Sequence, residues 1–338
     1  MTKKESLAEK NAGVEFGRDR IEDMNVLVTG GAGVIGSSLV RRIPGSITVL
    51  DDLSSGSYNA ISDLAEPGRI EFIRGDVRDQ ETVFRILRDK DLVIHLAANA
   101  DVRYTSEKGT DLDLNTNVIG TYNILEGMRK NDVQRLIFSS SSSVYGYAGI
   151  IPTPETYGPL IPESLYAGSK LAAEGTIMSF AKMFDLSSWI FRFANIVAPS
   201  YRSIGKNVIP DLILKLRKDK NHLEILGDGN QEKSYLYVTD CIDGMLYLSS
   251  RSKKNVDVFN LGNEDSTTVK EIAKVIVEEM GLKDVEFLYT GGSRGWKGDV
   301  SKTILDITKA RKMGWNPVLN SAQAVRESAR NIISQLQE

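Results

Sequence analysis

The chain has 338 residues, of which 41% are hydrophobic and 26% are charged, and its formal net charge is −3. This composition is typical of a globular protein with one large or two small domains, and the negative charge argues against a nucleic-acid partner. A single cysteine excludes an internal disulfide, and two histidines are too few for a typical zinc site. A Ser-His-Asp hydrolase is disfavoured because His95 lies in an apolar run typical of a core histidine. We therefore expect no metal site, and catalysis by tyrosine, lysine, serine or acidic groups.

The N-terminal segment and the longest apolar runs bear on location. Residues 1–22 are charged and lack the apolar stretch of a secretory signal, so we expect them to form a flexible extension. No apolar run elsewhere approaches the length of a bilayer span. The sequence therefore predicts a cytoplasmic protein with no membrane partner.

The segment 25–38 combines a strand-like run, a glycine-rich turn and the start of a helix. Gly30 would permit a tight turn after the apolar run, Gly33 would let the backbone approach a pyrophosphate, and Gly36 would let the helix pack closely on the strand. The N–H groups at the start of the helix would then face the phosphates. The predicted dinucleotide contacts in this segment are Gly30, Gly33, Val34, Ile35 and Gly36.

An acidic residue ends the next apolar run. Asp51 could accept a hydrogen bond from a ribose 2′-hydroxyl and would repel a 2′-phosphate, which favours NAD over NADP. The neighbouring Asp52 keeps open the alternative of an ordinary aspartate in a turn.

Strand-like runs continue to alternate with helical patterns as far as about residue 193. This alternation predicts an α/β fold with a Rossmann-type, doubly wound parallel sheet covered by helices on both faces. The pattern changes beyond Asn195, which predicts a smaller C-terminal α/β lid. The predicted division is a dinucleotide-binding domain of residues 23–193 plus about 236–262, and a substrate-binding domain of residues 194–235 and 263–338.

Ligands of such sheets bind beyond the carboxyl ends of the strands. The residues expected at those ends are Asp76, Val77, Leu96, Ala97, Ala98, Ser139 and Phe193. The small residues at 97 and 98 suit a flat cofactor but equally suit a tight turn. The serine run 139–143 follows an apolar strand, so we expect a hydroxyl-rich pocket wall, whereas His95 lies within an apolar run and is expected to be a core histidine.

Tyr166 and Lys170 are four residues apart in a helical pattern, so both side chains can point into one cleft. A nearby cation favours the phenolate and lowers a tyrosine pKa towards the range useful for acid–base catalysis. The spacing is not specific, since Tyr104 and Lys108 share it, but only Tyr166 follows the serine run that contains Ser141.

Five features occur together in this chain: the glycine loop, Asp51, Asn117, the serine run before Val144, and the Tyr166/Lys170 pair. In this combination the sequence resembles the extended short-chain dehydrogenase/reductases, most closely the nucleotide-sugar 4-epimerases of the UDP-glucose 4-epimerase family. The resemblance runs from about residue 24 to the C-terminus.

The resemblance implies tightly bound NAD, a UDP-sugar substrate and a homodimer formed by two long helices. Tyr166 would be the base for the sugar 4-hydroxyl, Lys170 would hold the nicotinamide ribose and lower the tyrosine pKa, and Ser141 would bind the same hydroxyl. The further implied cofactor contacts are Asp52, Asp76 and Asn117, with Asp76 at the adenine and Asn117 also supporting the active site. The implied substrate contacts are Ser141, Ser142, Ser143, Asn195, Asn207, Val208, Lys233, Tyr235, Arg294 and Asp299, with Thr303 beside the sugar 2-substituent.

Two departures from the family pattern affect these expectations. Lys233 replaces an arginine near the diphosphate and keeps the charge, but it lacks the bidentate fork of a guanidinium. Ser142 and Ser143 stand where the related 4,6-dehydratases carry an acidic pair, which disfavours elimination of water. The open alternatives are a UDP-glucuronate epimerase, a reductase or dehydratase of the same fold, and a non-catalytic NAD-binding module.

Overall fold

The computed structural model describes residues 14–17, 19–64, 69–99, 109–200, 207–296 and 298–337. The strands are β1 (Glu15–Phe16), β2 (Asp19–Arg20), β3 (Asn25–Thr29), β4 (Ser46–Asp51), β5 (Ile70–Arg74), β6 (Leu92–His95), β7 (Arg135–Ser141), β8 (Ser187–Phe193), β9 (Asn195–Val197), β10 (His222–Ile225), β11 (Glu232–Lys233), β12 (Tyr235–Tyr237), β13 (Val256–Leu261), β14 (Thr267–Thr268), β15 (Glu286–Tyr289) and β16 (Lys302–Thr303).

The helices follow the same chain order, and a π-helical stretch, Leu114–Ile119, leads directly into the third of them. They are α1 (Val34–Val40), α2 (Gln80–Ile86), α3 (Gly120–Lys130), α4 (Leu165–Phe184), α5 (Val208–Lys218), α6 (Val238–Arg251), α7 (Val269–Glu279), α8 (Thr308–Lys312) and α9 (Ser321–Gln335).

Seven parallel strands form the main sheet, in the order β13-β8-β7-β6-β3-β4-β5. The chain builds outward from β3 in one direction and then from β6 in the other. The predicted doubly wound sheet is therefore confirmed. Its topological switch point lies between β3 and β6, where the carboxyl ends of the strands open a crevice suited to a ligand.

Each face of the main sheet is covered by its own apolar cluster, as expected for a parallel sheet. On one face Leu39 of α1 and Leu246 of α6 belong to the same core as alternate residues of the strands. On the other face the core includes Leu125 of α3 and Ile177 of α4. Helices thus cover both faces of the sheet beneath the crevice.

The C-terminal part has smaller sheets and a separate core. The strand pairs are β9–β12 and β10–β15, and β11 lies between β14 and β16. Helices α5, α7 and α9 bury Ile209, Ile276 and Ile332 against them. The capping box predicted from Thr268 and Glu271 is present at the start of α7, with both hydrogen bonds formed.

Two regions differ from the predicted division. Residues 14–17 and 19–22 do not form an extension, because Phe16 and Ile21 are buried in the core of the main sheet, and the ring of Phe16 lies 5.4 Å from that of Trp189. That part of the prediction is wrong, while residues 1–13 lie outside the described ranges. Leu305 and Trp315 also belong to this core, although the predicted boundaries assign them to the second domain.

Candidate active site

The glycine loop has the geometry that its sequence predicts. Gly30 adopts a φ of +71°, and a Cβ there would lie 2.7 Å from the backbone nitrogen of Ala97. A Cβ on Gly36 would lie 2.2 Å from the carbonyl oxygen of Gly30, so only glycine lets α1 pack this closely on the loop. Gly33 occupies the N-cap of α1, which begins at Val34.

Asp51 ends β4 beside this loop and is 8% exposed. Its carboxylate accepts hydrogen bonds from the backbone N–H of Ala32 at 2.9 Å and of Leu53 at 2.8 Å. Burial raises the pKa of Asp51, although these two hydrogen bonds oppose the shift. The acid therefore holds the glycine loop in place and also faces the cleft.

A cleft of about 300 Å³ lies along the switch point, from Asp51 at one end to Lys170 at the other. Every predicted cofactor contact except Asn117 lines it. These residues are Gly30, Gly33, Val34, Ile35, Gly36, Asp51, Asp52, Asp76, Val77, Leu96, Ala97, Ala98, Ser139, Tyr166, Lys170 and Phe193. This arrangement fits NAD: the acid at one end suits the adenosine ribose, the backbone donors of the glycine loop suit the pyrophosphate, and the lysine at the other end suits the nicotinamide part.

The catalytic candidates meet at the deep end of this cleft. Tyr166 lies in the first turn of α4, whose N-cap Ser164 accepts a hydrogen bond from the N–H of Ala167 at 3.1 Å. The Lys170 ammonium donates to the carbonyl oxygen of Ser139 at 2.8 Å. Ser141 ends β7, and its side chain lies close enough to the Tyr166 hydroxyl to exert a lowering effect on the pKa of that tyrosine. The spacing of 166 and 170 thus brings both groups to one place, as predicted.

The pKa of the tyrosine differs from the sequence expectation. Burial raises the pKa of Tyr166 to about 12, although the hydrogen bond from Ser141 opposes the shift. Burial also lowers the pKa of Lys170 to about 7, against the carboxylates of Glu174 and Asp113. The expected depression of the tyrosine pKa is therefore wrong for the protein groups alone, because burial and the nearby carboxylate of Asp113 disfavour the phenolate more than Ser141 favours it.

Asn117 lies behind the cleft and does not line it. Its amide oxygen accepts a hydrogen bond from the N–H of Asn99 at 2.8 Å, and its amide nitrogen donates to the hydroxyl of Ser169 at 2.8 Å. The Ser169 hydroxyl in turn donates to the carbonyl oxygen of Tyr166 at 2.8 Å. Asn117 thus supports the helix that carries the tyrosine. Ser169 was not predicted as a functional residue, although it lies between Tyr166 and Lys170 in the sequence.

A second cavity of about 390 Å³ adjoins the first, and Tyr166 lines both. All but one of the predicted substrate contacts line this second cavity. These residues are Ser141, Ser142, Ser143, Asn195, Asn207, Val208, Lys233, Tyr235 and Asp299. Thr303 and Trp296 line it too, and Trp296 was not anticipated from the sequence.

The charges of this second cavity are partly paired with each other. The Lys233 ammonium lies 2.5 Å from Oδ1 of Asp299, and the two side chains are 16% and 2% exposed. The same ammonium lies 5.2 Å from the centre of the Trp296 ring. The carboxylate of Asp299 therefore partly neutralises the charge that Lys233 could offer to an anionic ligand.

Arg294 is the predicted substrate contact that does not face the cavity. Its guanidinium lies 5.0 Å from the centre of the exposed Tyr147 ring instead. The Tyr147 hydroxyl donates to the carbonyl oxygen of Asp299 at 3.0 Å, which fixes the same loop. Arg294 is therefore exposed and packs on Tyr147 rather than lining the substrate cavity.

Across the described ranges no group of three or more His, Cys, Asp or Glu side chains is placed to hold a metal ion. In the part of the chain that the structure covers, no helix combines the length and the apolar character that crossing a bilayer requires.

The parallel sheet, the glycine loop with its acid, and the Tyr166/Lys170/Ser141 group define an NAD-dependent enzyme of the short-chain dehydrogenase/reductase class. A family model described as the NAD dependent epimerase/dehydratase family matches residues 26–262, and the chain belongs to this family. The resemblance inferred from the sequence is thereby confirmed.

Similar proteins include several nucleotide-sugar epimerases, together with UDP-glucuronic acid decarboxylases and dTDP-glucose 4,6-dehydratases. The chain is 34% identical over 307 residues to a putative UDP-glucose 4-epimerase of Methanocaldococcus jannaschii, covering 89% of this chain and 96% of the relative. A crystal structure of UDP-glucose 4-epimerase with UDP-glucose from Thermotoga maritima is 33% identical, with a TM-score of 0.83 over 93% of this chain and 100% of that one. The UDP-N-acetylglucosamine 4-epimerase of Methanobrevibacter ruminantium is 29% identical, with a TM-score of 0.81 over 93% of this chain and 99% of that one.

Proposed function

We propose that this chain catalyses the NAD-dependent 4-epimerisation of a UDP-sugar. The observation that carries the proposal is the position of Tyr166, which lines both the dinucleotide cleft and the adjoining cavity and lies beside Ser141. A base at this junction can reach the 4-hydroxyl of a sugar that lies in the second cavity. The C4 atom of that sugar can at the same time face a cofactor in the dinucleotide cleft. The similarity to UDP-sugar 4-epimerases supports the choice of substrate class.

The side chains of this protein divide the work between proton transfer and positioning. Tyr166 takes the proton from the sugar 4-hydroxyl and returns it later, and Ser141 hydrogen-bonds the same oxygen. Lys170 is anchored on the carbonyl oxygen of Ser139 and adds positive charge at the deep end of the cleft. NAD, when bound, supplies the acceptor for the C4 hydride and a positively charged nicotinamide ring that favours the phenolate.

The residues after the catalytic serine favour epimerisation over dehydration. Ser142 and Ser143 both line the substrate cavity, and neither is an acid that could drive elimination of water. The 4-keto sugar is therefore expected to rotate in the cavity and be reduced on its other face, with no net redox change.

The side chain beside the sugar 2-substituent determines how large that substituent can be. Thr303 lines the cavity and is small, so we propose that UDP-N-acetylhexosamines are accepted as well as UDP-glucose and UDP-galactose. Parallel assays on the two substrate pairs test this, and no turnover of the N-acetylated pair would refute it.

The direct test is to incubate the purified protein with UDP-galactose, without added reductant, and to measure UDP-glucose. Conversion to an equilibrium mixture that is lost in Tyr166→Phe would support both the reaction and the role of the tyrosine. A protein that holds NAD but converts only UDP-glucuronate would be the second candidate, a UDP-glucuronate epimerase. A protein that binds NAD and converts no sugar nucleotide would be a binding module.

We also propose a homodimer and a cytoplasmic location. Exposed apolar side chains on neighbouring helices, Tyr122 of α3 and Phe184 of α4, support the dimer. Fractionation of cells that express the full chain tests the location.

A further inference from the structure

His95 is the last residue of β6 and is completely buried beneath the cofactor cleft. Its Nδ1 lies 2.6 Å from Oγ1 of Thr29, the residue directly opposite it in the neighbouring strand β3. Its Nε2 lies 3.0 Å from Oγ1 of Thr121 in α3. Both ring nitrogens thus have a hydroxyl partner in the interior of the protein.

The hydroxyl of Thr121 determines which ring nitrogen carries the proton. It donates its single hydrogen to the carbonyl oxygen of Asn117 at 2.6 Å, so towards His95 it can only accept. Nε2 must therefore be protonated, and in a neutral ring Nδ1 accepts from the hydroxyl of Thr29. The backbone N–H of Ala97 donates to that same hydroxyl oxygen at 3.3 Å, which is consistent with this direction.

The surroundings keep the ring neutral. Burial lowers the pKa of His95 to about 3, and the positive charge of Lys170 acts in the same direction. The ring of Phe138 lies 5.7 Å away on the adjacent strand, and the Lys170 ammonium lies over its face. A second ring proton, on Nδ1, would also remove the acceptor of the Thr29 hydroxyl hydrogen.

Both ends of this hydrogen-bond chain reach the functional site. At one end Ala97 lines the dinucleotide cleft. At the other end the Thr121 hydroxyl donates to the backbone carbonyl of Asn117. The side-chain amide of the same residue donates to the hydroxyl of Ser169, which donates to the carbonyl oxygen of Tyr166. One buried imidazole thus links the floor of the cofactor cleft to the first turn of the catalytic helix.

We propose that His95 is a positioning residue, held as the neutral Nε2–H tautomer, whose Nδ1 branch sets the Ala97 amide in the cofactor cleft and whose Nε2 branch sets Asn117 behind Tyr166. The catalytic half of this inference rests on the proposed function. The tautomer and the effect on dinucleotide binding do not require any turnover.

Nitrogen-15 NMR of the histidine side chains tests the tautomer in the intact protein. The chain has only two histidines, and His222 is exposed on β10, so a His222→Asn variant assigns the two signals. We expect His95 to show protonated Nε2 and unprotonated Nδ1, unchanged between about pH 5 and pH 8, a range in which an ordinary imidazole titrates. A protonated Nδ1, or titration of His95 in this range, would overturn the proposal.

Two conservative variants separate the branches. The amide nitrogen of glutamine can replace the Nε2 donor, and the amide oxygen of asparagine can replace the Nδ1 acceptor. We expect His95→Gln to weaken NAD binding about tenfold with kcat within about twofold, and His95→Asn to lower kcat about tenfold with NAD affinity within about twofold. If both variants change NAD affinity and kcat by the same factors, the two-branch assignment is wrong.

His95→Phe serves as the control for a purely structural role. It removes both branches, so NAD affinity and kcat should both fall, whereas a residue that only fills the core would lower thermal stability and leave the two constants unchanged. If no UDP-sugar is turned over but His95→Gln still weakens NAD binding, the proposed activity fails and the Nδ1 branch stands.

Discussion

Among single residues, the Tyr166 hydroxyl is the group on which the proposed proton transfer depends most directly. Tyr166→Phe removes the proton acceptor and should lower kcat by a factor of about 10² to 10⁴ while NAD remains bound. Tyr289→Phe is the matched control, because Tyr289 is 39% exposed on β15. Steady-state kinetics of both variants check this, and equal losses would mean that the hydroxyl at position 166 has no special role.

Lys170 makes a prediction about pH and stability. Its pKa falls from an ordinary value of 10.5 to about 7, so between these values the folded protein binds fewer protons than the unfolded chain. Stability therefore rises with pH across this window, and Lys170→Met removes that contribution. Denaturant unfolding after removal of bound dinucleotide should show that the wild-type free energy of unfolding, minus that of the variant, increases from about pH 7 to pH 10. A constant difference would contradict the buried lysine.

Some of the site residues could be predicted from the sequence and others could not. Tyr166, Lys170 and Ser141 were predictable because helical spacing places the first two on one face and an apolar strand delivers the serine. The orientation of Arg294 was not, because it depends on the ring of Tyr147 from a distant loop. The links from His95 to Thr29 and Thr121 were equally hidden, since they depend on strand register and helix packing.

At the scale of elements, the packing of α1 on the glycine loop depends on Gly36. Gly36→Ala should destabilise the protein and weaken NAD binding, because its Cβ would lie 2.2 Å from the carbonyl oxygen of Gly30. Gly175→Ala in α4 meets no atom within 4 Å and should stabilise by up to about 1 kcal/mol. Thermal unfolding and NAD titration of both variants decide, and shifts of the same sign would contradict the close packing.

A buried ion pair fixes α4 against the sheet. The Glu174 carboxylate accepts from Arg192 of β8 at 2.7 Å and from the Ser140 hydroxyl at 2.5 Å, and the Glu174 side chain is 1% exposed. Glu174→Gln leaves the arginine charge buried and uncompensated, which should cost about 3–5 kcal/mol. Glu126→Gln breaks a surface pair with Arg129, whose side chain is 39% exposed, and should cost much less. Denaturant titrations measure both, and similar costs would refute the argument from burial.

At the scale of the whole molecule, the fold class followed from the alternation of strands and helices. The sequence did not reveal that Phe16 packs near the start of the main sheet or that Trp315 belongs to its core, because both contacts join segments far apart in the chain. The π-helical stretch before α3 was also unforeseen, since its pattern reads as an ordinary amphipathic helix.

The proposed dimer makes a prediction at this scale. Ile119 is 43% exposed and Met183 is 74% exposed, beside the contact between Tyr122 and Phe180. Ile119→Lys combined with Met183→Lys should convert the dimer to a monomer, because it places charges in an apolar interface. Val318→Lys, at a residue 75% exposed in the C-terminal part, is the control. Light scattering coupled to size exclusion reports the mass, and a monomeric wild-type protein would refute the dimer.

The central claim is that one site removes hydrogen from the sugar C4 and returns it to the opposite face, with Tyr166 moving the proton. UDP-galactose carrying deuterium at C4 tests this most directly when it is incubated without added reductant. The account predicts UDP-glucose that keeps its deuterium at C4, with no stoichiometric build-up of NADH. Product that has lost the label to solvent, or that forms equally well with Tyr166→Phe, would contradict it.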